Sequence, residues 1–523
     1  MAKKDPHFAR LFESTLEEHI EPVATKITGN IPEWINGTMI RNGPGLFDVG
    51  EDSYKHWFDG LSLLHRFSIE NGQVTYQSRF LRSEAYEKAM KYKRIVMSEF
   101  GTLGIPDPCK NIFERFASHF LPLNITDNDV INFMKIGDDL YTLTETQYMR
   151  KISTEDLTSS ENRVDLFRTF AVLTQSSHPH KDVDGCTYNM ASSYLLGCYY
   201  NIVKFTPNSG PDPTKAAEII CSIPATRWTK PSYYHSFGMT KNYFIFLEQS
   251  LYIDVPRLAM STMRRKTVSS ALFFDKNEPV RFHLVNREDG SIDKTQYVSD
   301  AMFGMHVINC YEDDGHIIFD MCCYEDGNLI SKFYLDYLRN GDAQGKTEFP
   351  SPQLRRYVLP LNVGKWTPQG TNLVTLTCST ATAKLQKDGQ IYLVPECMSE
   401  LGIDMPCINY EKNNARPYRY AYGTTNVPKG GFVDAMAKID LHTKEYRIWQ
   451  EPNCYPSEPM FLPAPGSVEE DDGVVMSCIV NSQHRSAFLL VLDAKTFQEV
   501  GRAQLPNNIE CGLTFHGHFD QRS

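Results

Sequence analysis

Four histidines sit where a free imidazole is costly. His178 lies in "TQSSHPHKDVDG", His235 in "KPSYYHSFGMTKNYFIFLE", His306 in "FGMHVINCYEDDG" and His516 in "CGLTFHGHFDQRS". Each borders a strand-like run with small or aromatic neighbours, where an unpaired polar group pays a desolvation cost. Singly, such a residue is most simply a core histidine with its ring nitrogens satisfied. Together, four neutral imidazoles are also a donor set for a transition metal. The gaps of 57, 71 and 210 residues match no short metal motif, so spacing alone does not choose between these uses.

Imidazoles this far apart can meet only in a circular or strongly crossed fold. A β-propeller brings them together naturally, because the inner strand of every blade faces a common axis. Closing such a ring calls for the chain's end to be pinned into it. A histidine in a strand-like terminal stretch fits that need.

Turn signals run along the whole chain: "ENGQ" (70–73), "EDGS" (288–291), "DDGH" (313–316), "EDGN" (325–328), "KDGQ" (387–390) and "DDGV" (471–474). Asn-Gly and Asp-Gly favour tight hairpins, since both residues tolerate positive φ. Runs such as "HIIFDMCCY", "QIYLV" and "VVMSCIV" flank them, and "AFLLVLDAKTFQEVGRAQL" reads as strand, turn, strand. Helical periodicity is confined to "SEAYEKAMKYKR" (83–94), "KNIFERFASHFL" (110–121) and "VPRLAMSTMRRK" (255–266). The last has an apolar face with a basic edge, which suits either an interfacial helix or a packed surface helix. An all-β fold is expected.

The 523 residues show no Pro/Gly/Ser linker or composition shift, so residues 1–523 read as one domain, with 1–25 as an N-terminal extension. Hydrophobic content of 41% allows a large core, and a net charge of −11 argues against nucleic-acid binding. Thirteen cysteines without a C-x-x-C pattern read as reduced, mostly buried thiols. "MAKKDPHFARLFE" lacks the apolar region of a signal peptide, and no apolar run reaches the roughly 18 residues of a membrane span. A cytoplasmic protein, able to lie on a membrane surface, is expected.

In order along the chain stand "NGTMIRNGPG" (36–45), "HWFDG" (56–60), "PDPCKNIF" (106–113), "YTLTET" (141–146), "SSHPH" (176–180) and "PSYYHSFG" (231–238). They are followed by "RRYVLPLN" (355–362), "INYEKNNARPYRYAYG" (408–423), "WQEPNCYPSEPMF" (449–461), "EEDDGVV" (469–475) and "TFHG" (514–517). Through these blocks the chain resembles the carotenoid cleavage oxygenases, from about residue 30 to 520. Among animal members it is most similar to the insect-type carotenoid isomerooxygenases.

The resemblance implies a seven-bladed β-propeller with a helical and loop cap over one face. It also implies a non-haem Fe(II) held by His178, His235, His306 and His516, while His180 and His518 stay off the metal. Four neutral ligands leave the ion's charge intact and two positions open for dioxygen and water. Glu145, Asp404 and Glu458 match the acids that receive the second ring N–H of His235, His306 and His516. Asp404 replaces the usual Glu and is one methylene shorter, so its bond to His306 is expected to need a backbone shift or a water. Phe58, Phe100, Thr144 and Tyr324 match positions near the iron or substrate tunnel, Thr144 as the group that orients oxygen.

The implied substrate is a carotenoid drawn from a lipid membrane, with residues 255–273 as the membrane-contact segment and "PDPCKNIF" near the tunnel mouth. Cys109 within that block reads as a buried thiol. The implied reaction is dioxygenase cleavage of the central 15,15′ double bond of β-carotene or zeaxanthin to retinal-type aldehydes, with coupled all-trans to 11-cis isomerisation if the isomerooxygenase likeness holds. Alternatives within the family are a retinoid isomerohydrolase acting on retinyl esters and eccentric carotenoid cleavage. Outside it stands a noncatalytic propeller that only binds carotenoids or protein partners.

Overall fold

The computed structural model describes residues 7–105, 125–207, 210, 212–261, 266–341 and 346–522. "KNIFERFASHFL", "PDPCKNIF" and Cys109 lie outside them, as do residues 262–265 of the expected membrane-contact segment.

Hairpins arise where the local chemistry dictates. Asn71 and Gly72 both have positive φ (51° and 72°) and join Leu61–Glu70 to Gln73–Phe80. Asp314 and Gly315 (40° and 73°) do the same between Val307–Asp313 and His316–Cys323. This two-residue geometry matches the right-handed twist of the flanking strands. "KDGQ" links Thr382–Leu385 to Ile391–Val394, and "EDGS" turns the chain after Val280–Asn286. Two expected hairpins take other forms. In "EDGN", Asp326 accepts the backbone N–H of Asn328 and starts the helix Asn328–Lys332. In "DDGV", Asp472 accepts the N–H of Glu469 while Gly473 already opens the strand Gly473–Asn481. An aspartate can cap a helix or a loop as readily as it shapes a hairpin.

Seven sheets of four to six strands surround a common axis as a seven-bladed β-propeller. Blade 1 takes residues 19–80 and the final strand. Blade 2 spans 132–165, blade 3 174–224, blade 4 238–299 with 382–394 added, blade 5 307–397, blade 6 404–450 and blade 7 454–504. The edge strands Gly238–Met239, Val307–Asp313 and Asp404–Cys407 of successive blades adjoin one another.

Both chain ends stitch the ring. Lys26–Gly29 pairs with Glu499–Gln504 of blade 7, and Gly517–Gln521 pairs with Gly37–Leu46 of blade 1. The residues read as an N-terminal extension are woven into this closure. His19–Ala24 pairs with Gln73–Phe80, and Phe8, Leu11 and Phe12 join the core between blades 1 and 7.

The expected helix at 83–94 is Glu84–Tyr92. Ser83 Oγ accepts the N–H of Tyr86, Glu84 and Glu87 sit in the positive first turn, and left-handed Lys93 stops it. The third expected helix is present over Val255–Ser261. Short helical segments at Trp57–Asp59, Asn328–Lys332 and Leu335–Asn340 form a cap over one face of the ring. The cysteines of the described residues are free thiols, most of them buried.

Closure brings backbone against backbone at Gly43, where an added Cβ would lie 2.7 Å from Thr514 Cα and 2.8 Å from the Leu513 carbonyl. Gly43→Ala is expected to destabilise the fold by about 1–3 kcal/mol in urea unfolding, as overpacking does. Gly364→Ala, with nothing within 4 Å of the new carbon, should leave the midpoint unchanged.

Candidate metal centre

The ring geometry converts distant sequence positions into neighbours. His178 precedes the edge strand His180–Lys181 of blade 3, and His235 precedes Gly238–Met239 of blade 4. His306 leads directly into Val307–Asp313 of blade 5, and His516 into Gly517–Gln521 of blade 1. One ring nitrogen from each comes together, all four lying within 4.8 Å of one another.

The other three blades supply acids. Glu145 sits in the blade 2 turn between Asp139–Leu143 and Tyr148–Ile152, Asp404 opens blade 6, and Glu458 lies between two short strands of blade 7. Every blade therefore contributes one group. Glu145 accepts from His235 Nδ1 at 2.5 Å, Asp404 from His306 Nδ1 at 2.6 Å, and Glu458 from His516 Nδ1 at 2.7 Å. The Asp404 bond is direct, with no water. The strand there is bulged between Asp404 and Cys407, and Met405 takes a left-handed φ of 49°. That irregular backbone delivers the shorter side chain to its imidazole.

Each acid is held by further donors. Tyr233 donates its hydroxyl to Glu145 (3.1 Å), and Tyr324 to Asp404 (2.5 Å). Arg41 and the N–H of Gly517 donate to the second oxygen of Glu458 at 3.3 and 3.2 Å. Burial, opposed by these partners and by His306 and His516, leaves the Asp404 and Glu458 carboxyls below their ordinary range.

The imidazoles suit a cation. Burial is the main cause that lowers His516 to about 4 and His178 well below its usual value, so both rings are neutral at pH 7. A ring that donates Nδ1–H to a carboxylate keeps its lone pair on Nε2. His306 Nε2 is buried without a hydrogen-bond partner, and His178 Nε2 and His235 Nε2 face each other at 2.9 Å. Lone pairs converging from several imidazole rings are the donor chemistry of a transition-metal site. By contrast, His180 contacts the Phe237 carbonyl and the Tyr410 hydroxyl, away from this cluster.

Beside the imidazoles lies a cavity with an open mouth. His235, His306 and His516 line it, together with Trp57, Phe58, Tyr324, Phe333, Phe432 and Phe515. Phe58 and Tyr324 are thus at the cavity wall. Phe100 stands behind, with its ring 6.2 Å from that of Phe58, and Thr144 is buried next to Glu145 without lining the cavity. Sequence reasoning assigned nothing to Arg41, although it is the lone charge in the run "TMIRNG"; nor did it single out Tyr233, Trp57 or Phe333, whose rings read as ordinary core.

A family model described as retinal pigment epithelial membrane protein matches residues 12–521. A protein of Homo sapiens named β,β-carotene 15,15′-dioxygenase is 42% identical over 521 residues, covering 97% of this chain and 94% of its own. The chain belongs to the carotenoid cleavage oxygenase family. A second family member, the mitochondrial carotenoid-cleaving dioxygenase of Mustela putorius furo, is also 42% identical, over 97% of this chain and 95% of its own. Among solved structures, a Synechocystis apocarotenoid oxygenase superposes with a TM-score of 0.77 at 22% identity, over 99% of this chain and 98% of that one. Its likeness establishes the propeller; a cobalt-substituted form of the Synechocystis protein has the same TM-score.

Asp404→Asn keeps the side chain's size but replaces one acceptor oxygen with a competing donor. Affinity for a dipositive ion, measured by calorimetric titration with Co(II), is expected to fall by roughly 10- to 100-fold, the usual effect of losing such a partner.

Proposed function

We propose that the protein is an iron(II) dioxygenase that splits the central 15,15′ double bond of a carotenoid such as β-carotene or zeaxanthin into two retinal-type aldehydes. The observation that carries this reading is the 42% identity, end to end, with a protein named for that reaction. The four-imidazole cluster opening onto an apolar cavity supports it chemically. His178, His235, His306 and His516 would hold the iron, with Glu145, Asp404 and Glu458 fixing three of the rings. Iron(II), when bound, supplies the unpaired electrons that let triplet dioxygen react with a closed-shell polyene.

The chain's own part is binding, orientation and exclusion of water. A rigid apolar polyene matches a cavity walled by aromatic and aliphatic groups with few polar anchors. The faces of Trp57, Phe58, Phe333 and Phe515 would stabilise positive charge that develops along it. Phe58 and Tyr324 are the proposed substrate contacts, Phe100 supports Phe58, and Thr144 is the hydroxyl proposed to orient dioxygen.

An insoluble substrate must come from lipid, and an exposed apolar surface beside residues 255–273 supports a peripheral membrane association. Among the described residues no helix is long and apolar enough to cross a membrane. Trp228 is 73% exposed and Leu196 94% exposed. Hydrogen bonds from Val255 to Thr229 and from Ala225 to Cys198 bring their segments beside the helix Val255–Ser261. Ser269 in turn donates to the Phe100 carbonyl, tying residues 266–273 to the aromatic wall behind the cavity.

Purified, iron-loaded protein given β-carotene under labelled dioxygen should yield two aldehydes, each with one labelled oxygen, while a retinyl ester is left unchanged. The same chromatogram reads the bond cleaved and any 11-cis product. Ester hydrolysis without oxygen would overturn the reading in favour of an isomerohydrolase. Carotenoid binding with no cleavage, unaltered in His306→Ala and His516→Ala, would leave only a binding protein. On phosphatidylcholine vesicles, Trp228→Glu should lower the partition constant roughly tenfold or more, given about 1.5–3 kcal/mol for burying a large apolar side chain. Unchanged sedimentation would remove this face from the membrane account.

A further inference from the structure

Arg41 is wholly buried on the strand Gly37–Leu46, 0% exposed. Its guanidinium donates to Glu458 Oε2 at 3.3 Å, to Thr514 Oγ1 at 3.2 Å and to the Phe515 carbonyl at 2.7 Å. It therefore grips both the acid that orients His516 and the two residues that precede that histidine. A neutral donor could serve as a staple at such a place. A guanidinium keeps its charge even when buried, and a buried charge is tolerated only where opposite charge compensates it.

The hydrogen bonds show what it compensates. Glu145, Asp404 and Glu458 each face a ring nitrogen, and around them stand the donors Tyr233, Tyr324, Arg41 and the backbone N–H groups of Met405 and Gly517. Donors of this kind favour the charged form of a carboxylate. Three carboxylates against one guanidinium leave two negative charges around four imidazoles, which bind a metal as neutral ligands. A dipositive ion brings that set to neutrality. A tripositive ion leaves one positive charge in excess, where low dielectric makes it expensive.

We propose that Arg41 is a positioning and charge-setting residue that matches the pocket to a dipositive ion and so holds bound iron in the ferrous state. The proposal rests on the metal-centre reading above. It makes a signed forecast for the one-electron couple in which Fe(II) gives its electron to an added oxidant such as ferricyanide. Without the guanidinium, the pocket is neutral with Fe(III) rather than Fe(II).

The test is a mediated potentiometric titration of the full-length, iron-loaded protein, with ferric iron followed by electron paramagnetic resonance. Arg41→Met should raise the ferric-to-ferrous ratio at a fixed potential at least about tenfold, equivalent to ~59 mV for one electron. Arg41→Lys keeps the charge and should stay within about twofold of wild type. Glu458→Gln removes a negative charge and should shift the couple the opposite way, and the double variant Arg41→Met/Glu458→Gln should lie between the two single ones. If Arg41→Met does not fold, Glu458→Gln alone decides: a potential that falls or stays put overturns the proposal. Shifts of the two single variants in the same direction, or a lysine variant that moves as far as the methionine one, overturn it as well. A wild-type chain that takes up no iron overturns the metal-centre reading and this proposal together, and is recognised by the absence of iron from every variant.

Discussion

The structure depends on three short bonds from imidazole Nδ1 to a carboxylate, each made between different blades. Without the acid, a ring can rotate or change tautomer; without the ring, the acid is a costly buried charge. Because blades 1, 3, 4 and 5 bring the histidines and blades 2, 6 and 7 the acids, no part of the ring holds this constellation alone. Closure is then a condition of the chemistry as well as of stability. His516 reaches the axis only because Gly517–Gln521 is zipped onto the first long strand of the chain.

Charge and apolar surface divide the interior between them. The acids and Arg41 surround the imidazoles, while aromatic rings from the cap and from the closing segment wall most of the cavity that Glu145, Asp404 and Glu458 also line. Phe515 belongs to both worlds: its carbonyl accepts from Arg41, and its ring lies 4.8 Å from that of Trp57 and lines the cavity. The low polarity of the cavity strengthens each electrostatic contact next to it, so the net charge of the surrounding groups bears directly on the ion that fits.

Much of this was legible in the sequence, for reasons that differ by level. Asp-Gly and Asn-Gly pairs mark hairpins because positive φ is a local property, and they misled only at 325–328 and 471–474, where aspartate caps backbone N–H groups instead. The histidines were conspicuous singly, yet their partnership came from family motifs and not from spacing, since convergence across 210 residues is a property of the closed ring. Arg41 stayed hidden because Gly37–Leu46 is buried on both faces and shows no polar alternation to set a functional charge apart. Whether a backbone shift or a water would bring the shorter Asp404 to His306 was equally out of reach. It depends on a bulge and a left-handed Met405, which sequence pattern does not encode legibly.

The most direct test of the central claim is X-ray absorption at the iron K-edge of a preparation shown to be active. The account predicts about one iron per chain and a scattering pattern of four imidazole rings, reduced to three in His178→Ala. An active preparation free of iron, or an ion bound by fewer than four imidazoles in the wild type, would contradict it.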